Sequence, residues 1–204
     1  MVSSQRPHIA FVPLANVAHI EGKFSDGALK GLGVLIPRDA DERSMMLLDT
    51  ALTKIERLVF GDRGDVRVRA YESAELFGKG STGRLYSLDE RRYARAATTW
   101  ASVTPIALGL HPKRAKGLTE EAIVLRHIRD LGLPEPISLL LHGVSEVRGA
   151  APARAFRRGD ISALKGRVLC HAVMRFADRV SGPLVVGVGR HVGFGLLLPR
   201  GEAS

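Results

Sequence analysis

Cysteine is almost missing from this chain. The single residue, Cys170, excludes an intramolecular disulfide and a zinc site built mainly from thiolates. It sits in the apolar run Val168–Met174, which makes it a small core residue of a strand. Aromatic residues are only 5% of the total, so the core is expected to be aliphatic. No apolar run approaches the roughly 18 residues of a membrane span. The first seven residues, ending Gln5-Arg6-Pro7, lack the apolar centre of a signal segment. The expectation is a cytoplasmic protein in a reducing compartment, with no membrane partner. Metal-ligand spacing is also missing: there is no His-x-x-x-His pair, no cysteine pair and no tight acidic cluster. No metal and no cofactor are therefore expected, and no nucleophile-elbow motif supports a Ser-His-Asp reading. Acids are in deficit as well, 21 against 30 Lys and Arg, for a net charge of +9. That excess favours a polyanionic partner, nucleic acid first.

What is present is ordinary globular material, 45% hydrophobic and 25% charged, in 204 residues. His8 to Leu14 is an apolar run between prolines, a first strand. Residues 15–28 form a glycine-containing connection that carries His19 and Lys23. Leu29 to Ile36 is a second strand stopped by Pro37. Asp39 and Glu42 make a capping-box pattern. Met45, Leu48, Leu52, Ile55 and Val59 then repeat at helical spacing until Gly61, the best-defined helix in the sequence. Val66 to Ala70 alternates apolar and cationic residues, as a half-exposed strand does. Residues 78–99 read as a long loop, and Gly78–Ser81 within it lacks the spacing of a phosphate loop.

Trp100 to Leu110 is the next strand. Thr119 caps a second helix through Leu131, with Gly132 and Pro134 as stop signals. Val124, Ile128 and Leu131 mark its apolar side, and His127 is read as a surface residue beside them. Ile137–Val147 and Arg167–Phe176 are strands, separated by a basic loop. From Arg148 to Arg175 six arginines and one lysine face a single acid, Asp160. Arg148, Arg154, Arg157 and Arg158 in its Pro/Gly-punctuated first part suit phosphate contacts. The order of elements predicts an α+β protein of two ferredoxin-like (RRM-like) modules side by side, residues 1–97 and 98–204. The aromatic strand motif with which RRM sheets stack bases is absent.

The densest signal is the last apolar pair, Pro183 to Pro199. Leu184, Val185 and Val186 lead into Gly187, Gly189, Gly193 and Gly195, and Phe194 to Leu198 leaves it. Arg190 and His191 occupy the turn. The spacing is one residue off a dinucleotide fingerprint, and only nine residues follow Gly195, too few for the helix that fingerprint needs. Strand, glycine loop, strand remains, with backbone N–H groups and cations turned to something anionic.

Together with His8–Leu14, Asp26–Arg38, Trp100–Pro105 and His111-Pro112-Lys113-Arg114, this glycine loop resembles the CRISPR repeat-processing endoribonucleases of the Cas-six type. It is most similar to the Cas-six-like half of the Cas-five/Cas-six fusion of type I-G (I-U) systems. The resemblance implies two ferredoxin-like modules, a guide-RNA substrate, retention in an antiviral effector complex and a Cas-five-like protein among its partners; the missing Cas-five-like half is either encoded by a separate gene or a separated piece.

Histidine with abundant cations suits metal-independent cleavage of RNA. The ribose 2′-OH attacks its own 3′-phosphate, leaving a 2′,3′-cyclic phosphate and a 5′-OH end. A base, an acid and cations for the crowded phosphate are required. His8, His127, His142 and His171 fall on expected strands and a helix. His19, with Lys23 four residues on, comes first among the remainder because the resembling enzymes often keep a histidine in this early loop. His111 follows, with Lys113 and Arg114 beside it, then His191. Lys113, Arg114, Arg190, His191 and the four loop glycines complete the expected RNA-binding set with the basic loop. A non-catalytic guide-RNA scaffold of the same architecture is the alternative.

Overall fold

The computed structural model describes residues 9–18, 24–37, 39–59, 61–71, 86–156 and 164–201. Within them the chain is mixed α+β with antiparallel sheets. The strands are β1 (Ala10–Ala15), β2 (Leu29–Leu35), β3 (Arg57–Val59), β4 (Asp65–Arg67), β5 (Ala97–Ser102), β6 (Ile106–Ala107), β7 (Ser138–His142), β8 (Leu169–Val180) and β9 (Leu197–Pro199). The helices are α1 (Glu42–Thr53), the single-turn α2 (Arg91–Ala94) and α3 (Glu120–Asp130).

The second half carries the main sheet, in the order β7-β8-β5-β9, with β6 also paired to β8. Every pairing is antiparallel. The expected strand Trp100–Leu110 is broken in two, because Pro105 has no N–H to donate to a ladder. Its carbonyl instead accepts the Gly195 N–H at 2.9 Å. One face of the sheet packs on α3, where Ile123, Val124 and Ile128 are buried against Trp100, Ile106, Met174 and Phe176. Each such side chain contributes roughly 1.5–3 kcal/mol of burial. Thr119 caps α3 by accepting the Ala122 N–H at 3.2 Å. Gly132, at φ +69°, ends it. Its N–H reaches Arg129 O at 2.9 Å, and the Leu133 N–H reaches Ile128 O at 3.2 Å. Of the two stop signals in the sequence, Gly132 thus acts through a left-handed C-terminal turn.

The opposite face of the sheet is covered by the β1–β2 hairpin. Val12 and Val17 join Ala101, Val103, Val147, Leu196 and Leu198 in a second cluster. The two halves of the chain therefore share a core. The β1–β2 and β3–β4 strands form two separate pairs and not one four-stranded sheet.

Helix α1 departs most from expectation. Its cap is Asp41, which accepts the Ser44 N–H at 2.8 Å, and not Asp39. It ends at Thr53, and Leu58 and Val59 belong to β3 instead. None of its side chains is buried. The helical spacing was legible, but spacing says nothing about whether another surface covers the stripe. The strand expected over Ile137–Val147 likewise stops at His142, where Gly143 begins a turn. Ser145 holds that turn by donating to Ser102 O at 2.6 Å.

Candidate nucleic-acid interface

The glycine loop is a folded turn. Its arms are closed by a Val185–Leu196 bridge and by Val186 N–H to Gly195 O at 3.0 Å. Arg190–Val192 makes a 3-10 turn, which Gly193 ends at φ +88°, a conformation that a β-carbon disfavours. A side chain at Gly193 would also meet Pro13 of β1 at 2.8 Å. Gly189 has ordinary φ, yet a β-carbon there would lie 2.8 Å from that of Phe194. Gly187 and Gly195 face the backbone of Ala107 and Val186. All four glycines are buried. The close approach is thus made by the chain's own atoms, and the sequence could not distinguish that from approach by a ligand.

The loop's N–H groups are also largely committed inward. Val188 donates to Ala107 O at 3.1 Å, while Val192 and Phe194 donate to Gly189 O at 3.0 and 3.1 Å. Outward the turn presents the exposed Val188 and Val192 and, less openly, the half-exposed cationic pair Arg190 and His191.

Three other stretches converge on this turn. Phe156, at the described end of the basic segment, packs its ring 5.6 Å from Phe194. Upstream in that segment Arg148 and Arg154 are exposed. The Arg148 carbonyl accepts the Ala18 N–H at 2.9 Å, which ties the basic segment to the connection after β1. Ala18 has φ +50°, an unusual conformation for alanine. The preceding carbonyl, Val17 O, is held at 2.8 Å by Arg92, a buried guanidinium stacked 3.9 Å over Tyr86. Across the connection Asn16 donates to Phe24 O and, at 3.0 Å, to Asp26. His19 and Lys23 themselves lie outside the described residues, as do Arg157 and Arg158.

The third stretch leads to the His-Pro-Lys-Arg turn. His111 and Lys113 are exposed, the Lys113 backbone bridges to Leu118, and Arg114 opens a short 3-10 turn. Two residues earlier Gly109 is held on both sides. Its N–H donates to His127 Nε2 at 3.0 Å, and its carbonyl accepts from Arg167. A β-carbon on Gly109 would meet His127 Cε1 at 2.8 Å and Val188 at 2.9 Å. Burial, with Arg190 and Arg126 nearby, holds the His127 pKa below its usual 6.5, against an opposing pull from Asp130.

His127 is therefore no simple surface residue. The sequence carried a signal for this: it lies three residues after Val124 and four before Leu131, on the apolar stripe itself. His171 was correctly placed on a strand but is more engaged than expected. It is 1% exposed, with Nδ1 3.0 Å from Ser102 Oγ and Nε2 3.0 Å from Ala151 O. Ser102 Oγ in turn accepts the Ala172 N–H at 2.8 Å. This Ser–His contact is sealed in the core, and burial lowers the imidazole pKa. Burial likewise pushes the Cys170 thiol up to about 12.

Among the described residues no three His, Cys, Asp or Glu side chains form a metal-binding group, and no helix is long and apolar enough to cross a membrane. Comparison with protein-family models, curated proteins and solved structures finds no match to this chain.

Proposed function

We propose that the protein binds CRISPR repeat RNA and cuts it without a metal ion, as a Cas-six-type endoribonuclease retained in an effector complex beside a Cas-five-like protein. The observation that carries this reading is the convergence at the glycine loop. The loop lies against β1, against the basic segment through Phe156 and Phe194, and against Ala107 at the approach to His111. The exposure of Arg148, Arg154 and Lys113, with half-exposed Arg190 and His191, supports reading them as phosphate contacts. The glycines' part is to fold this turn tightly. The strand order β9-β5-β8-β7, with α3 between β5 and β7, supports a ferredoxin-like reading of the second half with the last helix missing. A matching module in the first half rests on the order of elements expected from the sequence and on the resemblance, since β1–β2 and β3–β4 form separate pairs.

In the proposed reaction His19 is the first candidate to exchange the proton with the 2′-OH or the leaving 5′ oxygen, Lys23 stabilises the phosphate, and His111 is the second candidate. The test is incubation of labelled repeat RNA with the protein in EDTA. Cleavage at one position, leaving a cyclic phosphate, supports the enzyme. Tight binding without cleavage turns the reading into the non-catalytic guide-RNA scaffold, and indifference to the repeat removes both.

A further inference from the structure

We propose that His127 is a positioning residue for the His111–Arg114 turn, and that it acts only as the neutral imidazole. The argument is one of donors and acceptors. The Gly109 N–H points at His127 Nε2 at 3.0 Å, so that nitrogen must offer a lone pair and the imidazole proton sits on Nδ1. Protonation places a hydrogen on Nε2, and two donors then face each other. The attraction becomes a repulsion at the peptide that leads into His111.

The surroundings concentrate this effect. Gly109 is closed in by the imidazole and by Val188, and its carbonyl accepts from Arg167. The charged groups facing His127 are Asp130 and Arg126 on its own helix and Arg190 from the glycine loop. Arg190 and Arg126 oppose a second positive charge, so the neutral form is the one the fold supports. Val188 joins the two sides, because its N–H is held by Ala107 O at 3.1 Å while its side chain borders Gly109. Release of Gly109 therefore loosens the peptide that leads into the His-Pro-Lys-Arg turn and the contact of Gly109 with Val188 of the glycine loop.

For function this implies an acid limb. RNA binding weakens as His127 takes up a proton, although an exposed histidine on phosphate would strengthen binding in the same range. That consequence rests on the RNA reading above; the hydrogen bond does not.

Two measurements separate them. In the free, isotope-labelled protein, nitrogen–proton correlation spectra report the imidazole tautomer, and a titration follows the Gly109 amide. The expected result is a proton on Nδ1 of neutral His127, with a Gly109 amide shift that tracks His127 protonation. A proton on Nε2, or a Gly109 amide indifferent to that titration, overturns the proposal without any variant having to fold. The second measurement is repeat-RNA affinity between pH 7.5 and 5.5 for the wild type, His127→Gln and His127→Ala. The glutamine carbonyl can accept the same N–H but does not titrate. His127→Gln should lose the acid limb, whereas His127→Ala should bind about fivefold more weakly already at pH 7.5, the worth of one hydrogen bond. Equal affinity of all three proteins at every pH refutes the positioning role. No binding by any of them sinks the RNA reading, and the Gly109 titration then decides the hydrogen-bond proposal by itself.

Discussion

Lowering the pH from 7.5 to 5.5 should destabilise the fold through His171, and the size of the loss follows from its surroundings. The imidazole is 1% exposed, and its two nitrogens lie 3.0 Å from Ser102 Oγ and from Ala151 O. Burial holds its folded pKa below 6.5. Above 6.5 the residue is neutral in both states and costs nothing. As the pH falls through 6.5 the unfolded chain takes up a proton that the folded chain refuses, so stability drops. The drop levels off only below the folded pKa. Whatever the folded pKa, one pH unit below the unfolded value limits the loss from His171 at pH 5.5 to at most about 1.4 kcal/mol. His127 shifts in the same direction and adds a smaller amount, being partly open to solvent. Trp100 is the sole tryptophan and fully buried, so its fluorescence reports unfolding in urea directly. Unfolding free energies from urea curves at the two pH values in about 0.3 M salt, where surface charge is screened, should be lower at pH 5.5, with His171 accounting for no more than this bound. His171→Gln should be less stable at pH 7.5 but should lose most of the pH dependence. Equal or greater wild-type stability at pH 5.5 would refute the reasoning, as would an undiminished pH dependence in His171→Gln.

Other perturbations follow from the same contacts. Gly193→Val introduces a β-branched residue at φ +88° against Pro13, and should lower stability by about 1–3 kcal/mol in the same urea assay. Ile128→Ala in the core face of α3 should lower it by about 2–5 kcal/mol, whereas Met46→Ala on α1, 66% exposed, should stay within about 0.5 kcal/mol. A large effect of Met46→Ala would show that α1 is covered after all. Joint replacement of Arg148 and Arg154 by alanine should weaken RNA binding and flatten its salt dependence by about 0.7 unit of slope per lost phosphate contact. An unaltered slope would take the basic segment out of the interface.

How much of this was legible depended on whether the controlling interactions were local. Helix α3 was read almost to the residue, since Thr119, Gly132 and the apolar stripe act within a few positions of one another. The glycine loop was recognised as a tight turn for the same reason. What packs against the glycines is Pro13, Ala107 and Phe194, and two of these are far away in sequence. The place of His127 on the apolar stripe was legible, but the partners that engage His127 and His171 were not, because Gly109, Ser102 and Ala151 arrive from other segments. The apolar stripe of α1 shows the converse limit. A stripe specifies a helix, but only a facing surface specifies its burial. Of the candidate site, the basic and glycine-rich stretches were located by composition. Their meeting around one turn appears only in three dimensions.

The central claim is metal-independent cleavage of repeat RNA, and single-turnover cleavage in EDTA by wild type, His19→Ala and His111→Ala tests it most directly. The account predicts specific cleavage by the wild type. It also predicts a loss of about 10²- to 10⁴-fold in His19→Ala, with RNA affinity kept within a few-fold. Full activity in His19→Ala with loss in His111→Ala would move the proton transfer to the His-Pro-Lys-Arg turn. No cleavage by the wild type, under conditions where it binds the repeat tightly, would contradict the account.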